Sequence, residues 1–388
     1  MRTSSKDDLV KKLITYGFLV PENRDEKLLR KYVQTQCITD TTLKLVVHLT
    51  QNCNFRCIYC YMDFHPVSLN IDTQKGIVNF IRKNIHKYKA VSISWFGGEP
   101  LMEIEIIEHL SKEIICICQK AGKPYFGIIT TNGYLLTPHN IDILRKSKVN
   151  DICVTIDGLK ELHDKQRILK NGGPTFDKII GNLLYIKNNI KSSTLSITIR
   201  SNITLAHYDW LEEYYIYFNN LFGDDARFSL FVRPVADYGG NRVKNITNMI
   251  SDMSTIYEFL SKIEKKLKFK MNYGDLNVGG STCNSKLYNK FTIGCDGSVH
   301  KCDESLAIPM GQLYGNGSME IHSDCYSKWL CGVRSDECDN CFFSMCCFME
   351  GCPRVRVFEN KKIKCHVNLN EIDSLIYYVS KSYNSEIL

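Results

Sequence analysis

Residues 43–62 read LKLVVHLTQNCNFRCIYCYM, and two patterns meet there. The apolar, partly β-branched run that opens the stretch predicts a buried strand over 43–49. The polar residues after it predict a loop, and that loop carries Cys53, Cys57 and Cys60. A C-x3-C-x2-C spacing lets three thiolates converge on one cubane iron–sulfur cluster, which ordinarily takes four cysteine ligands. Three ligands leave one iron open, and an open metal position is where a substrate or cofactor binds, as in catalytic zinc sites. The competing interpretations are a zinc site or three buried core positions.

Outward from this loop, strand-like and helix-like segments alternate from residue 43 to about 270, as βα units around a parallel sheet do. Strands are expected at 43–49, 91–96, 125–130, 151–156, 195–203 and 227–234, and helices at 72–88, 103–121, 138–147, 175–190, 207–221 and 252–268. Six units fall short of the eight in a closed TIM barrel, so the expected α/β fold is an open, partial (β/α)6 barrel. Chemistry in such barrels gathers at the C-terminal ends of the strands. After the second strand comes WFGGEPLM, where Gly97 and Gly98 allow close approach to a ligand, Glu99 offers an acceptor for an ammonium group and Pro100 completes the turn. The third strand ends in Thr130-Thr131-Asn132-Gly133 and the fourth in Thr155-Ile156-Asp157-Gly158, followed by HDKQR at 163–167. Hydroxyls and a carboxamide there can hold ribose or carboxylate oxygens, and Arg167 can pair with a carboxylate. Thr155 and Asp157 also suit turn capping, and Arg167 a local ion pair. Asn202, at the end of the fifth strand, is a further candidate.

The bulk properties narrow the class. The 388 residues suffice for a large domain plus a smaller one, and 44% hydrophobic with 23% charged residues is an ordinary globular composition. No apolar stretch approaches the roughly 18 residues of a membrane span, and MRTSSKDDLVKK has no secretory apolar region, so a cytoplasmic protein is expected. Eighteen cysteines in a large unsecreted chain point to metal ligation over disulfides, and eleven of them follow residue 282. Cys37, Cys116, Cys118 and Cys153 lack ligand spacing and are expected as small buried hydrophobes. The net charge of +7 has no basic run interleaved with aromatics, so neither nucleic acid nor membrane is an expected partner; an acidic peptide is compatible. Residues 1–42, with helix-like DLVKKLITYG and DEKLLRKYV, are expected to form an arm covering one end of the barrel.

Taken with Tyr59 before the last cysteine, the loop resembles that of the radical S-adenosylmethionine (SAM) superfamily, and GGEP and TNG resemble that family's further motifs. The resemblance implies a 4Fe–4S cluster held by Cys53, Cys57 and Cys60, whose open iron chelates SAM and splits it to a 5′-deoxyadenosyl radical. It implies SAM contacts from Tyr59, Gly97, Gly98, Glu99, Pro100, Thr131, Asn132, Thr155, Asp157, Arg167 and Asn202. Thr155 stands where the family's S-x-DG-x4-HD-x2-R segment has serine, and keeps the hydroxyl.

The final segment, 271–388, runs C283-x13-G297-x4-C302, C338-x2-C341-x5-C347-x4-C352 and C365, with an Asp296-Gly297 turn predicting a hairpin. This resembles the SPASM domain, which binds two auxiliary 4Fe–4S clusters. By analogy one cluster takes Cys283, Cys302 and Cys352, with Cys295, Cys325, Cys331 or an open iron completing it. The other takes Cys338, Cys341, Cys347 and Cys365. One residue too many separates Cys341 from Cys352, so Cys346 competes with Cys347, which preserves the x5 spacing. Such enzymes chiefly modify peptides and proteins and draw electrons from a flavodoxin or ferredoxin. The expected activity is therefore oxidative maturation of a ribosomally made peptide through a thioether or carbon–carbon crosslink. The alternatives are formylglycine formation in a sulfatase and a non-catalytic electron-transfer protein. With about 42 residues ahead of the first strand, the winged-helix leader-recognition domain of many related enzymes is expected to be missing or incomplete.

Overall fold

The computed structural model describes residues 21–39, 41–235, 283–304 and 306–331, with single residues and short runs at 10–11, 14, 19, 242, 244, 246, 249–250, 263, 266–268, 338, 341 and 352–355. Six parallel strands follow one another in chain order: β1 (Thr42–His48), β2 (Ala90–Phe96), β3 (Tyr125–Thr131), β4 (Val149–Thr155), β5 (Ser196–Ile203) and β6 (Phe228–Pro234). A helix α1 (Glu26–Ile38) precedes them. The connections carry α2 (Ile71–Asn84), α3 (Ile104–Lys120), α4 (Pro138–Lys146), α5 (Lys160–Gln166), α6 (Phe176–Asn189) and α7 (Leu211–Phe222). The open (β/α)6 barrel expected from the sequence is the fold observed, with strand bounds within two residues. The seven-residue α5 was not expected, and the helix expected at 252–268 lies almost wholly outside the described residues.

Local chemistry sets these elements. Asn70 caps α2 by accepting from Thr73 N at 2.7 Å, and Thr137 caps α4 from Asn140 N at 3.3 Å with Pro138 at the first helical position. Along α3, Ile104, Ile107, Leu110, Ile114 and Ile117 recur at helical spacing and are buried against the sheet. Each fully buried side chain of that size contributes roughly 1.5–3 kcal/mol. The far end of the core is aromatic, with Phe222 stacked on Phe228 at 4.6 Å between centroids.

The sheet does not stop at β1. Four short strands continue it: β7 (Lys290–Ile293) pairs in parallel with β1, and β8 (Ser298–His300), β9 (Gly311–Leu313) and β10 (Met319–Ile321) follow antiparallel. The cysteine-rich segment therefore joins the barrel through backbone hydrogen bonds, and its first hairpin covers the edge that β1 would otherwise expose. The hairpin turns at Asp296-Gly297 as expected. Gly297 has φ +85°, and Asp296 Oδ1 accepts from Ser298 N at 3.0 Å. A helix α8 (Ser323–Cys331) follows β10.

The two faces of the parallel sheet differ. Residues facing the helices are fully buried and apolar: Leu43, Leu45 and Val47, then Val91, Ile93 and Trp95, then Ile197 and Ile199. Their alternating neighbours Ser92, Ser94, Cys153, Thr198, Arg200, Asn202, Ser229 and Arg233 are half-buried. Buried parallel sheets usually carry apolar residues on both faces. A polar, partly accessible inner face is that of a lumen kept open for a ligand, and Cys153 lies on it, not in the apolar core where the sequence placed it. Among the described residues no helix is long and apolar enough to cross a membrane.

Candidate active site

The loop after β1 brings Cys53, Cys57 and Cys60 to the barrel mouth. Cys53 and Cys57 are 8% exposed and Cys60 is half-buried. Two neighbours fix the loop's backbone. On one side Gly98 N donates to Thr50 O at 2.8 Å and Glu99 N to Asn52 O at 3.0 Å; on the other Arg56 N donates to Ile168 O at 2.8 Å and Ile58 N to Gln166 O at 3.0 Å. The glycines of GGEP permit this approach. A Cβ on Gly98 would stand 1.9 Å from Asn52 O, and one on Gly97, at φ +127°, 2.5 Å from Thr50 O. Gly98→Ala is therefore expected to displace the cysteine loop, since the obstacle is backbone and cannot rotate away. A destabilisation of about 1–3 kcal/mol should accompany reduced iron content, measured by urea unfolding and iron analysis. Unchanged iron would refute this coupling.

Glu99 is fully buried, and its carboxylate holds the end of β3. It accepts from Thr131 Oγ1 at 2.7 Å, Asn132 N at 2.8 Å and Leu101 N at 3.0 Å, the last capping the short turn that begins at Pro100. Burial pushes its pKa up, against the pull of those donors. A carboxylate has about four acceptor positions, so these three bonds leave one uncommitted. Asn132 in turn donates to Asn54 Oδ1 at 2.7 Å and faces Cys53 Sγ at 3.9 Å.

Four candidates from distant parts of the sequence meet in one network. The Tyr59 hydroxyl donates to Asp157 Oδ2 and accepts from Arg167 Nη1 at 2.5 Å and Asn202 Nδ2 at 3.1 Å. Arg167 pairs with Asp157 at 3.5 Å, both buried, and Asn202 N donates to Asp157 Oδ1 at 2.7 Å. Burial keeps the phenol protonated, so it can donate. Beneath the network lies a relay that residue type alone did not reveal. Asp157 N donates to His163 Nδ1 at 3.1 Å, which leaves the proton on Nε2 to donate to Thr175 Oγ1 at 3.0 Å, and Thr175 donates to Arg167 O at 2.6 Å. His163 thus sets the backbone of both Asp157 and Arg167.

Burial lowers the His163 pKa from 6.5 to about 3, with the nearby Arg167 charge adding to it. The folded state holds this imidazole neutral while the unfolded chain takes up a proton below pH 6.5. The stabilisation is fully present above pH 6.5 and is lost as pH falls toward 3, with a slope of at most about 1.4 kcal/mol per pH unit. His163→Gln, which can accept and donate at the same positions, should flatten the fall in urea midpoint between pH 6.5 and 4. A parallel fall in both proteins would show that His163 is not its source.

The donor set fits an iron–sulfur cluster. Burial raises the thiols of Cys53 to about 12 and of Cys57 to about 11, and the other sulfurs of the trio add to both shifts. Three thiolates need a strong local positive charge, which the irons of a cluster would supply against burial and the Glu99 charge beside Cys53; three groups of the chain assist. Phe55 N donates to Cys53 Sγ at 3.4 Å, Met62 N bonds the Cys60 sulfur, and the Arg167 charge favours the Cys57 thiolate. Among the described residues no three His, Cys, Asp or Glu side chains are grouped to hold a single metal ion. A cluster, which spreads its ligands over separate irons, does not require that grouping.

Lower in the lumen, Thr155 is buried and sits opposite Arg200, which sits opposite Phe231. Arg233 pairs with Glu304 at 3.7 Å, and Glu304 also bonds Tyr61. Arg200 was not among the sequence candidates.

In the cysteine-rich segment, Cys283, Cys302, Cys338, Cys341 and Cys352 are half-buried. Cys295 is 2% exposed and donates to His48 O at 3.2 Å, which ties the hairpin to β1. Cys346, Cys347 and Cys365 lie outside the described residues, as does the side chain of Cys331.

A half-barrel with a three-cysteine loop over a polar lumen defines an enzyme class that works with an iron–sulfur cluster at the strand ends. Residues 47–212 match the radical SAM superfamily, so the chain contains a radical SAM domain, of a family that uses a 4Fe–4S cluster and SAM. The chain is similar to a cysteine-type anaerobic sulfatase-maturating enzyme of Clostridium novyi (strain NT), 26% identical over 291 residues, which are 67% of this chain and 72% of that one. Its fold is similar to that of anSMEcpe with bound AdoMet and Kp18Cys peptide, with TM-score 0.69, 18% identity, and 89% of this chain and 98% of that one covered. It is also similar to Streptococcus suis SuiB bound to precursor peptide SuiA, with TM-score 0.57, 18% identity, and 87% and 83% covered.

Proposed function

We propose that this chain is a radical SAM maturase that oxidises a ribosomally made peptide or protein, joining two side chains by a thioether or carbon–carbon bond. When bound, the cluster and SAM supply a 5′-deoxyadenosyl radical that abstracts a hydrogen atom from the substrate. Cys53, Cys57 and Cys60 would hold the cluster. The last acceptor position of Glu99 would take the SAM ammonium, with Gly97, Gly98, Pro100, Thr131, Asn132 and Thr155 shaping the cleft. Tyr59, Asp157, Arg167 and Asn202 would face the nucleoside or carboxylate. A SPASM-like domain would add two auxiliary clusters as an outlet for the electron that the substrate gives up, and a flavodoxin or ferredoxin would supply the electron that begins each turnover.

The observation that carries this reading is the convergence of Tyr59, Asp157, Arg167 and Asn202 beside the thiols of Cys53, Cys57 and Cys60 at one barrel mouth. The peptide class is supported by the likeness to two proteins whose structures hold peptides. The likeness to a cysteine-type sulfatase maturase favours a second reading, formylglycine formation. Co-expression with candidate short peptides and, separately, with a sulfatase, followed by mass spectrometry, separates the two. Crosslinking removes two hydrogens from the peptide, whereas formylglycine formation removes sulfur from a cysteine and leaves an aldehyde. Release of 5′-deoxyadenosine should accompany either product, and its absence from the reconstituted protein would leave only the electron-transfer alternative.

A further inference from the structure

Arg200 stands on the lumen face of β5, two residues before Asn202 and so ~6.6 Å below it along the strand. Its immediate neighbours on that face, Thr155 and Phe231, carry no charge. Its Nε is buried and has no hydrogen-bond partner. The nearest carboxylate that favours its charge, Glu304, is shared with a second arginine, and among the described residues no side-chain oxygen is bonded to its Nε. Glu304 serves Arg233 and Tyr61, and Asp157 serves Arg167, Tyr59 and the backbone of Asn202. Cys153 also faces Arg200, but burial raises its thiol pKa and keeps it neutral. Buried charges in proteins are paired, because leaving one unpaired in a desolvated site costs several kcal/mol. An arginine on the wall of a polar lumen, half-buried, sharing its carboxylate and with a buried Nε unbonded, keeps donor capacity for an anion from outside the chain.

We propose that Arg200 is the receptor for a carboxylate of the substrate, an aspartate or glutamate side chain in the peptide segment that is modified. This rests on the peptide reading above and adds the chemistry of the peptide. The fork of guanidinium donors suits a carboxylate bidentately. Its place beneath the Tyr59–Asp157–Arg167–Asn202 network puts the anchoring acid on the lumen wall, below the residues proposed to face SAM. The net charge of +7 is consistent with an anionic partner.

The test is a selection with iron-loaded enzyme and SAM, in which a random peptide library displayed on its own mRNA is panned against wild type, Arg200→Lys, Arg200→Gln and Arg200→Glu. Wild type should enrich Asp or Glu at one fixed position by about tenfold, the affinity equivalent of one charge-assisted contact. Lys should retain part of that preference, Gln should erase it and Glu should turn it toward Lys or Arg. An acidic preference that survives in Arg200→Gln overturns the proposal. SAM binding, measured by equilibrium dialysis on the same proteins, separates the other source of a carboxylate. A tenfold weakening in Arg200→Gln with peptide preference unchanged would assign Arg200 to the amino-acid end of SAM and overturn the proposal too. If wild type selects peptides without any acidic preference, only this proposal falls; if it selects no peptides, the peptide reading falls and takes the proposal with it. Iron content and melting temperature confirm that each variant is folded.

Discussion

Cys57→Ala is expected to give a folded protein that has lost the iron of one cluster and releases no 5′-deoxyadenosine above the enzyme-free background. Its small side chain is 8% exposed, so truncation itself should cost no more than about 1–2 kcal/mol. The chemical loss is of a different order. On the proposed function, the two sulfurs left cannot hold a cubane that takes three from this loop, and every catalytic step of that proposal depends on the cluster. Cys118→Ala is the matched control. Cys118 is also buried, on α3 away from the mouth, and its loss should lower stability slightly while iron content and SAM cleavage stay at wild-type values. The pair is compared by iron analysis, low-temperature electron paramagnetic resonance and chromatography of the nucleoside product. Wild-type cleavage by Cys57→Ala would remove the foundation of the proposed function.

Much of this was legible in the sequence because strand-end motifs are local. LVVHL, SISWF and ITIRSNI announce strands through β-branched alternation, and the residues just after each one carry the polar groups that the mouth requires. What was not legible is how those groups share their hydrogen bonds. Gly97 and Gly98 seemed to make room for a ligand, yet they make room first for the cysteine loop's own carbonyls. Glu99 seemed a ligand contact, yet most of its capacity holds Thr131 and Asn132. His163 sits inside the HDKQR segment but was passed over, because a histidine two side chains removed from a ligand has no signature of its own. Arg200 did carry a signal: SITIRSNI places Ser, Thr, Arg and Asn on one face of a strand with two parallel neighbours, and such a strand is polar on one side only where that side lines a lumen. The attachment of β7 to β1 was invisible for another reason. It joins residues about 245 positions apart, and a four-residue strand has too little pattern to name its partner.

The second large effect concerns the buried pair of Asp157 and Arg167. Asp157→Asn is expected to destabilise the protein by about 3–5 kcal/mol, because it takes the only carboxylate among the described residues bonded to a buried guanidinium and leaves the Cys57 sulfur as its nearest balancing group. It also deprives the Tyr59 hydroxyl of its charged acceptor, so this phenol of the cysteine loop loses its orientation and SAM affinity should fall with stability. Removing the cation as well should reverse much of the damage: in Asp157→Asn with Arg167→Met, no unpaired charge remains and the methionine can fill part of the guanidinium's space. The double variant should therefore be more stable than Asp157→Asn alone, an interaction energy of at least about 1–2 kcal/mol in a double-mutant cycle read from urea midpoints. SAM binding should not recover with it, because Arg167 and the oriented Tyr59 are both gone. That divergence distinguishes a pair kept for the site from one kept for the fold. If stability and SAM affinity recovered together in the double variant, Asp157 and Arg167 would be a structural ion pair and the ligand contacts assigned to them would have to move elsewhere along the mouth.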